Sequence, residues 1–209
     1  MSGLKIGRTV LGMVSTNCYF VYDEKTMNTV VFDPGDDGGR LYDRLAEKGM
    51  HVCAIVLTHG HFDHIMGVEE LKEKAGCKLY APEAEKELLL DERLNETVSV
   101  GEKIRMRADV YLKDGEDVDI DGIRFRVLHT PGHTAGSTCY YFEDEGMLIA
   151  GDTLFEGSVG RTDLPTGNMG ELIQSIRRRL LTLPDETRVY PGHGNDTTIG
   201  NEKIYNPFF

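Results

Sequence analysis

No stretch of this chain approaches the roughly 18 consecutive apolar residues that a membrane span requires. Residues 1–14 hold no sustained apolar segment of the kind a secretory signal carries. Membrane association is therefore not expected, and the expected location is cytoplasmic. Positive charge is also scarce. Lys and Arg number 23 against 35 Asp and Glu, a formal charge of −12. Phosphate backbones are held by clustered cations, and the one basic run is Arg177-Arg178-Arg179. That run lies in a helical pattern and reads as a solvated face, so nucleic acid is excluded as the main partner. Cysteine is sparse as well. Cys18, Cys53, Cys77 and Cys139 form no CxxC pair and sit among apolar, strand-like neighbours. They read as buried free thiols of a reducing compartment, not as metal ligands.

What is present is enough for a core. With 209 residues, 40% of them apolar, the chain can bury most of its apolar surface without disulfides, and disorder is excluded. Cys18 to Tyr22 and Thr29 to Phe32 read as paired strands around a polar turn. A helix follows through Leu41, Tyr42, Leu45 and Ala46, stopped by Gly49. Val52 to Leu57 is a continuous apolar run, as expected of a strand buried on both faces. Helices are predicted from Ile65 to Lys74 and from Pro82 to Leu90, with a short strand at Lys78 to Tyr80. Ile123 to Leu128, Thr138 to Phe142 and Met147 to Ala150 read as successive strands. Leu172, Ile173, Ile176, Leu180 and Leu183 trace a last long helix, and Val189-Tyr190 leads into a final loop. Hairpins occur in both halves, so two sheets covered by helices fit better than one parallel sheet. Asp117, Asp119, Asp121 and Gly122 imitate the start of a calcium loop. Its twelfth position is Leu128, where a bidentate carboxylate is needed, so a hairpin with an Asp-Gly turn is the better reading.

The chemistry concentrates in Thr58-His59-Gly60-His61-Phe62-Asp63-His64, directly after the buried strand. His59 and His61 are two apart and point the same way in an extended segment. Asp63 and His64 begin a helix that turns them back toward the same space. His133 in Thr130-Pro131-Gly132-His133, Asp152 after Gly151, and His193 in Pro191-Gly192-His193 all lie in small-residue turns just past apolar strands. Five of the seven histidines fall in such turns. His51 and His129 read as structural.

Five imidazoles and two carboxylates suit zinc first, and also iron or manganese. Seven ligands exceed one tetrahedral site and make two if a carboxylate bridges. The assignment is His59, His61 and His133 to one ion, and Asp63, His64 and His193 to the other, with Asp152 between. Each ion then lacks one ligand, which a shared water or hydroxide supplies. Two adjacent ions make that hydroxide available near neutral pH.

These motifs, with Thr16-Asn17-Cys18-Tyr19, Asp33-Pro34-Gly35 and Asn206-Pro207-Phe208, resemble the metallo-β-lactamase superfamily. The likeness is nearest to its glyoxalase II-like (hydroxyacylglutathione hydrolase) branch. The resemblance implies an α/β fold arranged as a four-layer αββα sandwich with the site at one edge of the sheets. It implies the same seven metal ligands. Glyoxalase II also carries a C-terminal helical domain that supplies much of its glutathione binding. Only 16 residues follow His193 here, so one domain over residues 1–209 is expected, without that addition.

The function so implied is hydrolysis of a thioester, S-lactoylglutathione or a related acyl-thiol, by a metal-bridging hydroxide. Asp63 is the expected catalytic residue, binding the second metal and orienting the nucleophile. The partner is then a small-molecule acyl-thiol. Gly160-Arg161-Thr162-Asp163 also resembles a loop of persulfide dioxygenases, which would need one iron on His59, His133 and Asp152. The bland role of that loop is a turn locked by Arg161 and Asp163. Other ester, lactone or lactam hydrolysis ranks lower, because β-lactamases of the commonest class usually lack His at the position of His64. Pro82 to Gly115 separates the two motif-rich halves and is a candidate wall of the pocket.

Overall fold

The computed structural model describes residues 3–209. The first sheet contains β1 (Leu4–Leu11), β2 (Thr16–Asp23), β3 (Asn28–Phe32), β4 (His51–Val56), β5 (Lys78–Pro82) and β6 (Val110–Leu112), side by side in that order. β1 to β3 are antiparallel, and β3 to β6 are parallel. The second sheet contains β7 (Asp117–Ile120), β8 (Ile123–His129), β9 (Thr138–Phe142), β10 (Met147–Gly151), β13 (Arg188–Pro191) and β14 (Thr197–Thr198). Between β10 and β13 in the chain lies a small separate hairpin, β11 (Leu154–Phe155) and β12 (Ser158–Val159).

Three apolar clusters define four layers. Between the sheets, Phe32, Phe125, Tyr140 and Phe142 pack ring against ring, with Phe125 and Tyr140 centroids 5.2 Å apart. On the outer face of the first sheet, Ile55 and Leu57 meet Leu41 and Leu45 of α1 (Gly38–Ala46) and Val68 and Leu71 of α3 (Val68–Ala75). On the outer face of the second, Leu148 and Val189 meet Leu172 of α5 (Met169–Ser175), Ile176 and Leu180 of the following turn, and Ile199 of α6 (Ile199–Tyr205). The architecture is the αββα sandwich. β4 is buried on both faces because its outer residues lie under helices and its inner ones in the aromatic core.

Several elements differ in detail from the sequence expectation. The helix expected from Ile65 to Lys74 is two pieces, α2 (Phe62–Ile65) and α3, separated at Gly67. There the backbone turns so that Gly67 N donates to Pro34 O at 2.9 Å. A Cβ at Gly67 would lie 2.7 Å from Asp36 O, so the close approach requires glycine. The helix expected from Pro82 to Leu90 gives way to the end of β5, a 3-10 turn at Glu83–Glu85 and α4 (Lys86–Leu89). The last helix changes to a π-helical turn at Ile176–Leu180. β1 escapes the pattern because Lys5, Gly7, Arg8 and Thr9 interrupt its apolar residues.

β7 and β8 form the expected hairpin, with positive φ at Asp121 and Gly122 and Gly122 N donating to Asp119. All four cysteines are free, but only Cys18 and Cys139 are buried. Cys53, near the start of β4, and Cys77, in the turn after α3, are half-buried instead of buried. Burial still pushes the Cys77 and Cys139 thiols up to about 11, away from the thiolate form that binds metal. Among the described residues, no helix is long and apolar enough to cross a membrane.

Candidate metal centre

β8 and β10 both run antiparallel to β9, and β13 runs parallel to β10. Their C-terminal ends therefore open on one side of the sandwich. His133 follows β8, Asp152 follows β10 and His193 follows β13. The segment after β4 brings His59 and His61 to the same edge, and the single turn of α2 folds Asp63 and His64 back beside them. All seven residues singled out in the sequence meet there, in overlapping groups whose ligand atoms lie within 4.8 Å of one another. His51 and His129 do not join them; His129 Nε2 lies 2.9 Å from Ala135 O.

The cluster has two corners. In the first, His133 Nε2 lies 2.9 Å from His61 Nδ1 and 3.2 Å from His59 Nε2. Three imidazoles aimed at one point cannot satisfy one another with the protons they carry. Burial, then the neighbouring imidazoles, drives His59 well below its ordinary pKa; burial and His133 take His61 down to about 3. Both are held as neutral rings, the form that ligates metal. In the second corner, Asp63 Oδ2 lies 3.1 Å from His193 Nε2 and 3.5 Å from His64 Nε2. Burial disfavours charge on both rings, but carboxylates outweigh it. Asp63, Asp33 and Asp152 hold His64 well above the usual range, and Asp152 and Asp63 bring His193 up to about 10. Asp152 spans the corners, 3.5 Å from His64 and His193 and 3.7 Å from His133. Against the pull of burial, His64 and His193 keep its carboxyl ionised.

A pair of divalent cations fits this set. His61 Nε2, His64 Nε2 and Asp152 Oδ1 are buried without a hydrogen-bond partner among the described residues, a costly arrangement for polar atoms unless they are coordinated.

The supports of the cluster were not read from the sequence. Asp33, buried at the end of β3 with φ of 51°, places Oδ2 3.0 Å from His64 Nδ1. The same carboxylate accepts from Thr58 N and Thr58 Oγ1, both at 2.7 Å. A non-glycine residue held in the left-handed region costs about 1–3 kcal/mol, offset here by fixing two parts of the centre at once. Glu85, also buried, accepts from Gly60 N at 2.8 Å, Thr134 Oγ1 at 2.6 Å and Gly136 N at 2.9 Å. It ties the His59–His61 loop to the His133 loop. Burial raises its pKa and these three donors oppose that.

Thr16 Oγ1 donates to Asp63 Oδ2 at 2.9 Å. Asn17 and Tyr19 donate to Pro191 O, and Asn17 Nδ2 also to Gly194 O, which holds the His193 loop. Arg161 O lies 2.7 Å from His133 Nδ1 and orients that ring, while the Arg161 side chain forms a two-bond pair with Asp163. The Asn17 motif and the Arg161 loop were visible as motifs without their roles. Glu85 gave no signal, being one of several glutamates in a helix-like segment.

The centre lines one side of a cleft of about 650 Å³. Glu96, Ser99 and Val100 face it, so part of the Pro82–Gly115 segment does wall the pocket.

Residues 11–193 match the family model of the metallo-beta-lactamase superfamily. YqgX of Bacillus subtilis, described as a probable metallo-hydrolase, is 38% identical over 98% of this chain and 97% of its own. GloC of Haemophilus influenzae, described as a hydroxyacylglutathione hydrolase, is 35% identical over 92% of each chain. Among solved structures, BLEG-1, described as a B3 metallo-beta-lactamase, superposes with a TM-score of 0.92 at 39% identity, covering 98% of this chain and 99% of that one. TTHA1623 in a di-iron-bound form gives 0.86 at 36% identity, covering 97% and 100%.

Proposed function

The chain belongs to the metallo-β-lactamase superfamily as a metallo-hydrolase, and we propose that its reaction is hydrolysis of a thioester, with S-lactoylglutathione or a related acyl-thiol as substrate. The proposed ligands are His59, His61 and His133 for one divalent ion and Asp63, His64 and His193 for the other, with Asp152 shared. Zinc is the first candidate, and the di-iron relative keeps iron beside it. Such ions supply an ionised water near neutral pH and polarise a carbonyl.

The chain's own residues do the rest. Asp63, fixed by Thr16 and facing His193, is the proposed catalytic carboxylate that orients the attacking water. Asp33 and Arg161 O hold the His64 and His133 rings in place. Water adds to the thioester carbonyl, the C–S bond breaks, and a carboxylic acid and a thiol result.

The observation that carries the thioester reading is the shortage of proton donors around the cleft. Beyond the cluster, the ionisable residues lining it among those described are Glu96 and Arg161. Arg161 is permanently charged and paired with Asp163, so it cannot protonate a leaving group. A thiolate leaves without such help, whereas an amine leaving group needs it. The likeness to GloC supports the same reading. The likeness to BLEG-1 favours a second one, β-lactam hydrolysis.

The test is steady-state hydrolysis of S-lactoylglutathione by protein loaded with zinc, against a metal-stripped control. A chromogenic cephalosporin and oxygen uptake with glutathione persulfide serve as comparisons. Metal-dependent thioester turnover with neither of the other activities is expected. Cephalosporin turnover or oxygen uptake in place of thioester hydrolysis would overturn the reading.

A further inference from the structure

We infer that the cleft selects thioesters whose thiol is uncharged and apolar over those whose thiol carries carboxylates; this rests on the thioester reading above. The inference comes from what surrounds the metal centre. Outside the seven ligands, the wall is made largely of Val14, Phe62, Val100, Phe155, Val159 and Leu164. They come from the β1–β2 turn, α2, the 3-10 segment at 97–100, the β11–β12 hairpin and the loop after Arg161, so the apolar character is built from several directions. Val14 is 45% exposed at the mouth, and covering such surface with an apolar group is favourable.

The charges point the same way. Among the described residues, the cation lining the cleft outside the metal cluster is Arg161, and both of its contacts to Asp163, Nε to Oδ1 and Nη2 to Oδ2, are 2.7 Å long. One edge of its fork is thus occupied, so a substrate carboxylate that reaches Arg161 must share the guanidinium charge with Asp163. The other ionisable residue there is an acid, Glu96, held with φ of 63° at the start of the 97–100 segment, its Oε2 accepting from Ser99 Oγ at 2.6 Å. Glutathione brings a pair of carboxylates and one ammonium, and outside the metal cluster the described wall offers it one cation already paired with Asp163 and one fixed anion. The chain's net charge of −12 adds long-range repulsion of anions. An uncharged apolar thiol meets no such penalty and covers the valine and phenylalanine side chains instead.

The experiment compares kcat/KM of the two-metal protein for S-lactoylglutathione and for the lactoyl thioester of benzyl mercaptan, at low and at near-physiological ionic strength. Calorimetric binding of S-hexylglutathione gives a readout that does not depend on turnover. The benzyl thioester is expected to be preferred at least tenfold. The preference should shrink as salt is raised, because screening weakens repulsion of the glutathione carboxylates. Glu96→Gln is expected to tighten S-hexylglutathione by about threefold, the size of an exposed charge interaction, and so to narrow the preference for the benzyl thioester. Equal or better use of the glutathione thioester, insensitive to salt and to Glu96→Gln, would overturn the inference while thioesterase function stands. Hydrolysis of neither thioester by protein holding two metals would overturn the thioester reading itself.

Discussion

Asp33 Oδ2 lies 3.0 Å from His64 Nδ1, an ion-pair approach on the side of the ring turned away from the other candidate ligands. A carboxylate beside Nδ1 favours a proton there, so that a metal displaces the proton from Nε2 and is ligated by that nitrogen. Asn at position 33 keeps the left-handed backbone that Asp33 adopts at φ 51°, since Asn also tolerates that region. Its amide NH2 would instead face Nδ1 and push the proton to Nε2. Asp33→Asn is therefore expected to weaken metal binding at the Asp63–His64–His193 corner by about 10- to 100-fold. Chelator competition on the folded variant measures this, and unchanged affinity for both metals would refute the tautomer role.

Glu85 is buried and accepts three hydrogen bonds from the two loops that carry His59, His61 and His133. A glutamine there must turn its NH2 toward either Gly60 N or Gly136 N, leaving one backbone donor unsatisfied. Glu85→Gln is expected to destabilise the metal-free protein by about 1–3 kcal/mol. Thr134→Val removes a single donor, and about 0.5–1.5 kcal/mol is expected. Urea unfolding of the two variants beside the parent checks both values and their order.

Gly192 sits where a Cβ would lie 2.1 Å from Asp152 Oδ1 and 2.9 Å from His64 Cε1. Gly192→Ala is expected to displace the shared carboxylate, so that the protein retains its secondary structure and loses bound metal and turnover together. Metal analysis alongside circular dichroism tests this. Two metals per chain in the variant would show that the loop absorbs the methyl group.

The Arg161–Asp163 pair should withstand acid. The hydrogen-bonded Arg161 guanidinium brings the Asp163 carboxyl down to about 2 from an ordinary 3.8. A depressed acid stabilises the fold above its unfolded pKa, and the contribution is lost as pH falls through the folded value. The pair is thus expected to be intact above about pH 4 and to open between there and about pH 2. An NMR titration of Asp163 midway near 3.8 would mean that the pair does not hold in solution.

The fold was legible where burial imposes a period. β4 shows as a continuous apolar run because both faces are covered, and α1 shows through Leu41 and Leu45. It was illegible where a tertiary contact overrides local pattern, as at Gly67, whose hydrogen bond to Pro34 O interrupts an otherwise helical segment. The seven candidate ligands stood out because histidines gathered in glycine-flanked turns are rare among structural histidines. Their supports did not. Glu85 acts through partners 25, 49 and 51 residues away, and nothing near it in the chain distinguishes it from Glu83 or Glu87. Asp33 lay inside a recognised motif, but its hold on His64 depends on how α2 packs against the end of β3.

The most direct measurement is thioester turnover as metal-stripped protein is titrated with zinc, with bound metal counted at each step. Activity is expected to rise with occupancy and to level off at two zinc ions per chain. Asp63→Ala is expected to lower turnover even where two ions are bound. Turnover in the stripped protein, or none in a protein carrying two ions at the seven residues, would contradict the account.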